Sequence, residues 1–184
     1  MGIKDNPSVQ RLSKLHIAQR SLAITASPVD GCIRIGHSDI QKVLTLAKGN
    51  SVGRARICVH QDPVDKVHEM LIAFVKGSYV RPHKHRDKSE SFHLIQGNLS
   101  VIFFDDKGVE TDRIALSASD SKKPFFFRSD REDWHTVLIE SEYAVILETT
   151  SGPFVPTDKR SAPWSPIEDD VPAINNFLSR LSGS

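Results

Sequence analysis

The chain has 184 residues, 39% of them apolar and 26% charged, which fits one globular domain that buries a core without disulfide or metal staples. Twenty-four basic residues against 23 acidic ones give a net charge of +1, no footprint for nucleic acid or an anionic membrane. No apolar run reaches a membrane span or a secretory signal, and two cysteines, Cys32 and Cys58, make no disulfide framework. The expected setting is therefore soluble, reduced and cytoplasmic.

Residues 7 to 24 read as a helix, with Pro7 in its first turn and Val9, Leu12, Leu15, Ile17, Leu22 and Ile24 on a partly apolar face. A loop over 26–31 follows. Ser38-Asp39-Ile40-Gln41 has the form of a capping box before a second helix over Val43–Ala47, stopped by Gly49-Asn50. Residues 1–52 are thus expected to form a helical arm that covers one face of the domain or a partner subunit.

From Arg54 the pattern becomes β. Candidate strands are Arg54–His60, Val67–Val75, Tyr79–His85, Glu90–Gln96, Leu99–Phe104, Glu110–Leu116, Lys123–Arg128, His135–Glu140 and Tyr143–Thr150. Many short strands with turns between them point to a sandwich or barrel over residues 53–152. Residues 153–184 read as a proline-rich strap, with Pro153, Pro156, Pro163, Pro166 and Pro172, and a closing helix over Val171–Leu181.

The chemistry concentrates between Gly77 and Gly97. His83 and His85 sit two apart, so on a strand both imidazoles point to one side. Arg86-Asp87-Lys88-Ser89 turns the chain, and Glu90 can begin a neighbouring strand and add a carboxylate. Two neutral nitrogens and an anionic oxygen make a site for a first-row divalent metal, and affinity should fall as pH drops through the histidine range. Arg81 and Tyr79 share the parity of the two histidines and are expected to face the same cavity, Arg81 to hold a substrate oxygen or anion. Arg54, Arg56, Cys58 and His60 alternate with Ala55, Ile57 and Val59, and read either as the solvent face of an edge strand or as an anion clamp. His68 is not needed for the site. His93 is expected on the opposite face from Glu90. Trp134 stacks on a sugar ring or packs, and Cys58 lacks an activating cluster.

Gly77, His83, His85, Glu90 and Gly97 fit Gly-x5-His-x-His-x4-Glu-x6-Gly, which resembles the first motif of the cupin superfamily. That superfamily's second motif carries a further histidine ligand. The matching residue here is His135, although Pro124, Asp130 and Glu132 replace the two glycines and the proline around it. The segments Tyr79–His85, Phe103–Asp106, Trp134–Thr136, Gly152–Phe154 and Asp158–Pro166 are similar to WbuC-type cupin-fold metalloproteins, which occur among surface-polysaccharide genes.

The resemblance implies an all-β, double-stranded β-helix jelly roll with N-terminal helices and a short C-terminal helix. It implies a site of His83, His85, Glu90 and His135 holding Fe, Zn, Mn or Ni, and a homodimer. The leading functional reading is a metal-dependent isomerase or epimerase acting on a small oxygenated molecule such as a sugar or sugar nucleotide. Arg81, Tyr79 and Glu90 are its candidate catalytic residues. An Fe(II)-dependent dioxygenase and a non-catalytic, metal-assisted binding module are the alternatives.

Overall fold

The computed structural model describes residues 12–18 and 21–183. The chain runs β1 (Leu12–Ala18), β2 (Ser21–Ala26), α1 (His37–Lys48), β3 (Arg54–Cys58), β4 (Val67–Val75), β5 (His83–His85) and β6 (Glu90–Phe104). It continues through β7 (Glu110–Ser117), β8 (Phe126–Ser129), β9 (Trp134–Ser151), β10 (Lys159–Ser161) and α2 (Val171–Ser182). No helix among the described residues is long and apolar enough to cross a membrane.

The sheet is built on a ribbon of the two longest strands, β6 and β9, which pair antiparallel from Glu90↔Thr150 to Phe104↔Trp134. Around Glu90–His93 the ribbon is flanked by β8, and along Tyr143–Ser151 by β4. At its other end it is flanked by β7 and, through His83↔His135, by β5. Strands β4, β3, β2 and β1 extend one side, and β10 closes on β5. The sheet curls into an open jelly roll. Its interior is filled by residues such as Met70, Ile72, Phe74, Phe92, Leu99, Phe103, Val137 and Ile146. Because side chains alternate across a strand, β4 sends Leu71 and Ala73 to the outside. There Ile40, Val43, Leu44 and Ala47 of α1 cover them, so β4 reads as one apolar run because both its faces are buried.

A second outer face is covered by α2, whose Phe177 and Leu181 pack on Ile102, Phe104, Trp134 and Leu138. Asp170 caps α2, its carboxylate accepting from the Ala173 N–H at 3.0 Å.

Three expectations change. Where a helix over 7–24 was expected, the described part is a hairpin, Leu12–Ala18 with Ser21–Ala26; residues 7–11 and 19–20 lie outside the described residues. The cause is tertiary: β2 pairs parallel with β3, so the sheet satisfies backbone groups that helical spacing would have paired locally. Helix α1 begins two residues earlier than a capping box at Ser38-Asp39-Ile40-Gln41 implied, with Asp39 accepting from the Gly36 N–H at 2.9 Å. The strap is more than a surface cover, because its residues Lys159–Ser161 form β10 and pair with the histidine strand.

Candidate metal centre

His83 and His85 lie on β5 with Lys84 between them, and Lys84 points the other way, its ammonium 4.4 Å from the centroid of the Trp134 ring. His135 opens β9 directly opposite His83 in register. One ligand nitrogen from each of His83, His85 and His135 lies within 4.8 Å of the others. Glu90, at the start of β6, completes the set: its Oε1 is 3.7 Å from His85 Nε2 and its Oε2 3.4 Å from His135 Nε2. The turn before it is held by Glu132, which accepts from the Asp87 N–H at 2.9 Å.

Ring orientation is fixed from behind. Nδ1 of His83 lies 2.9 Å from the Arg81 carbonyl and Nδ1 of His135 lies 3.1 Å from the Asp133 carbonyl. With protons on those Nδ1 atoms, each Nε2 presents a lone pair inward, the arrangement ligating histidines use. Nε2 of His85 and of His135 are buried and accept no hydrogen bond. Buried nitrogens without partners are costly, and a divalent cation would supply the missing interaction. Three imidazoles and a carboxylate suit a first-row divalent metal, so the residues fit the group.

The charges agree. Burial, reinforced by Lys159, holds the His83 imidazole well below its usual pKa, so it stays neutral. Burial also lowers His85, against the pull of Glu90. Burial alone would lower His135, but the Glu90 carboxylate 3.4 Å from its Nε2 outweighs it and raises the pKa. Glu90 is correspondingly lowered, since its contacts with His135 and His85 overcome the effect of burial.

The cluster opens on a cavity of about 140 Å³ inside the barrel. An outer chamber of about 270 Å³ shares Arg56, His85, Glu90, Glu148 and Lys159 with it. Ile72, Phe74, Phe92, Val137 and Ile146 form the apolar part of the inner wall.

Tyr79 and Arg81 do not line this cavity. Residues 78–82 form no strand, because Pro82 removes a ladder donor, and side-chain parity therefore does not carry back from His83. Arg81 donates to Ser165 Oγ at 3.0 Å and to the Ala162 carbonyl at 3.4 Å, tying down the strap. Tyr79 donates to the Pro166 carbonyl at 2.9 Å, and burial pushes its phenol pKa up to about 12. Trp134 packs against α2 and donates to Asp106 at 2.8 Å. His93 is exposed on the opposite face, beside Phe125 and Phe126.

Arg54 and Arg56 correct the edge-strand reading. Strand β3 lies between β2 and β4, its apolar Ala55 and Ile57 face α1, and both arginines line the cavity. Cys58 is half-buried with its pKa raised by burial, which leaves the thiol protonated and unreactive.

Two cavity residues were absent from the expected set. Glu148 shares strand parity with Ala144 and Ile146, which face the interior, and a glutamate in that register is the signal that marks it. Burial, and then the charge of Glu90, raise its carboxyl pKa to about 7. Lys159 comes from the strap and carries no sequence signal, because only the β10–β5 pairing brings it opposite His85. It is open to solvent along part of its length, yet protein crowding around its ammonium, and then Arg54, lower its pKa.

The curled sheet is an open jelly roll with three clustered histidines and one glutamate at its mouth. A family model described as a domain of unknown function, DUF6016, matches residues 35–116. Comparison with curated proteins found no match. Among solved structures, the chain is similar to a protein from Shewanella oneidensis at 9% identity and TM-score 0.47, over 56% of this chain and 70% of that one. It is similar to the capsular polysaccharide assembling protein CapF from Staphylococcus aureus at 15% identity and TM-score 0.46, over 58% of this chain and 34% of CapF. A cupin superfamily protein from Desulfitobacterium hafniense matches at 17% identity and TM-score 0.41, over 53% of this chain and 76% of that one.

Proposed function

We propose that the protein is a metal-dependent enzyme that moves a proton on a small oxygenated molecule, an isomerase or epimerase in reaction type. The observation that carries this reading is that the ligand cluster faces a cavity and shares it with Glu148. A structural metal site is closed by its ligands, whereas a catalytic one keeps a side open. When bound, the metal supplies Lewis-acid chemistry to a substrate oxygen. Glu148 holds or accepts the proton at its carboxylate, and a pKa of about 7 suits exchange in both directions near neutral pH. The apolar wall of Phe74, Phe92 and Val137 limits competing water. The carbohydrate character of the substrate, and a place in surface-polysaccharide biosynthesis, are supported by the WbuC-type landmarks alone.

The test is elemental analysis of protein purified without added metal, followed by a screen of hydroxy-carbonyl compounds for hydrogen exchange in deuterium oxide. Stoichiometric metal and solvent deuterium in the substrate are expected. Glu148→Gln should keep the metal and lose about 10²–10⁴ of the exchange rate. Oxygen consumption without exchange would replace this reading with the Fe(II) dioxygenase, and tight binding without turnover would replace it with the binding module.

A homodimer is also proposed. Phe125 and Phe126, exposed at 56% and 50%, lie beside His93 and supply an apolar patch for a second copy. Light scattering is expected to give twice the chain mass; a monomer at micromolar concentration would refute it.

A further inference from the structure

The charge in the cavity is not balanced by the protein. Arg54, Arg56 and Lys159 all line it. Among the described residues none of the three has a carboxylate at ion-pair distance. Among the described residues their side chains make one hydrogen bond, from Arg56 Nη1 to Met70 Sδ at 3.8 Å. Of the two glutamates present, Glu90 is committed to His85 and His135, and Glu148 lies near all three cations without forming an ion pair with any of them. Three cations held around a partly desolvated space, next to a site built for a divalent metal, repel one another unless something negative enters. A structural role would have placed carboxylates beside them. Arg131, by contrast, has such partners in Asp112 and Asp133.

We propose that Arg54, Arg56 and Lys159 recognise an anionic head group, a carboxylate or a phosphate, on the small polyoxygenated substrate of the enzyme inferred above. The proposal rests on that reading of the cavity and narrows it, because a neutral sugar would leave the three cations with Glu148 alone to offset them. Guanidinium and ammonium donors suit both anions, the arginines by paired N–H groups and the lysine as a point charge. The inner cavity of about 140 Å³ sets the scale of the group received there. It is well under the roughly 300–1,000 Å³ of drug-sized ligand pockets, so a nucleoside diphosphate is not enclosed within it. The strap is part of the specificity, since Lys159 arrives on β10.

Calorimetric titration of the metal-loaded protein with malonate, inorganic phosphate and the neutral polyol erythritol tests this. At least one anion is expected to bind roughly tenfold or more tightly than erythritol, with the preferred anion identifying the head group. Arg56→Gln and Lys159→Gln should each weaken that anion about tenfold at unchanged metal content. Arg160→Gln, on the neighbouring exposed position of the strap, should leave binding unchanged. Lys159 lies outside the core, so its variant is expected to fold even if Arg56→Gln does not. Equal binding of erythritol and the anions, or wild-type anion affinity in a folded Lys159→Gln protein, overturns the proposal while the metalloenzyme reading stands. Anion selectivity that depends on Arg56 and Lys159 in a protein that takes up no metal would do the reverse.

Discussion

Substituting His135 by alanine is expected to lower affinity for a divalent metal by on the order of 100-fold or more, with the barrel still folded. Removing an outer-shell partner of a ligand costs about 10–100-fold, and His135 is proposed as a ligand itself. The residue is 7% exposed, its ring centroid lies 4.6 Å from that of His83, and its Nε2 is one of the two candidate ligand nitrogens left without a hydrogen-bond partner. Glu90→Gln tests the carboxylate separately, since it keeps the shape and removes the charge that raises the His135 pKa. Metal titration with circular dichroism on the same samples decides the matter. A folded His135→Ala protein that binds metal as the wild type does would show that the cluster is not the site.

Gly97→Ala is expected to destabilise the protein by about 3 kcal/mol or more, enough to lower Tm by roughly 6–12 °C in a chain of this size. Gly97 has φ +83°, and a Cβ there would lie 2.1 Å from the Tyr143 carbonyl oxygen and 3.0 Å from Ala144 Cα. Both neighbours are backbone of β9, the partner strand, so they cannot step aside without opening the ribbon. Gly77 is the control. Its φ is +86° but nothing lies within 4 Å of a Cβ, so Gly77→Ala should cost only about 1 kcal/mol. Equal shifts in thermal melts of the two variants would refute the close-approach account.

The two glycines show why the site could be read from the sequence and much of its surroundings could not. The Gly77–Gly97 spacing packs a turn, two same-side imidazoles, a carboxylate and a bend into one short segment, so local rules suffice. Strand β4 was equally legible, its apolar run matching Val67–Val75 at both ends. The sequence signal fails where the partner is distant. Arg54 and Arg56 alternate just as residues of a solvent-facing edge do, and only the placement of β3 between β2 and β4 turns them inward. Arg81 and Tyr79 fail for a local reason instead, because Pro82 interrupts the ladder on which the parity argument depended. Lys159 depends on strap geometry, which no periodicity encodes. The hairpin of β1 and β2 has spacing that satisfies a helix as well as a strand, and the exposed edge of β3 decides between them.

The β6–β9 ribbon also bears on how the molecule assembles. Its strands are joined through β7 and β8 rather than by a tight hairpin, and the Thr150 hydroxyl reaches back 61 residues to the Ser89 carbonyl. Pairing so distant must wait for the chain between to be ordered, which places folding in the slow regime of roughly milliseconds to seconds typical of such topologies. The candidate ligands sit on β5, β6 and β9 and converge only when that ribbon has closed. A cation bound there would therefore slow unfolding without hastening folding, acting as a latch on the finished barrel rather than a template for it.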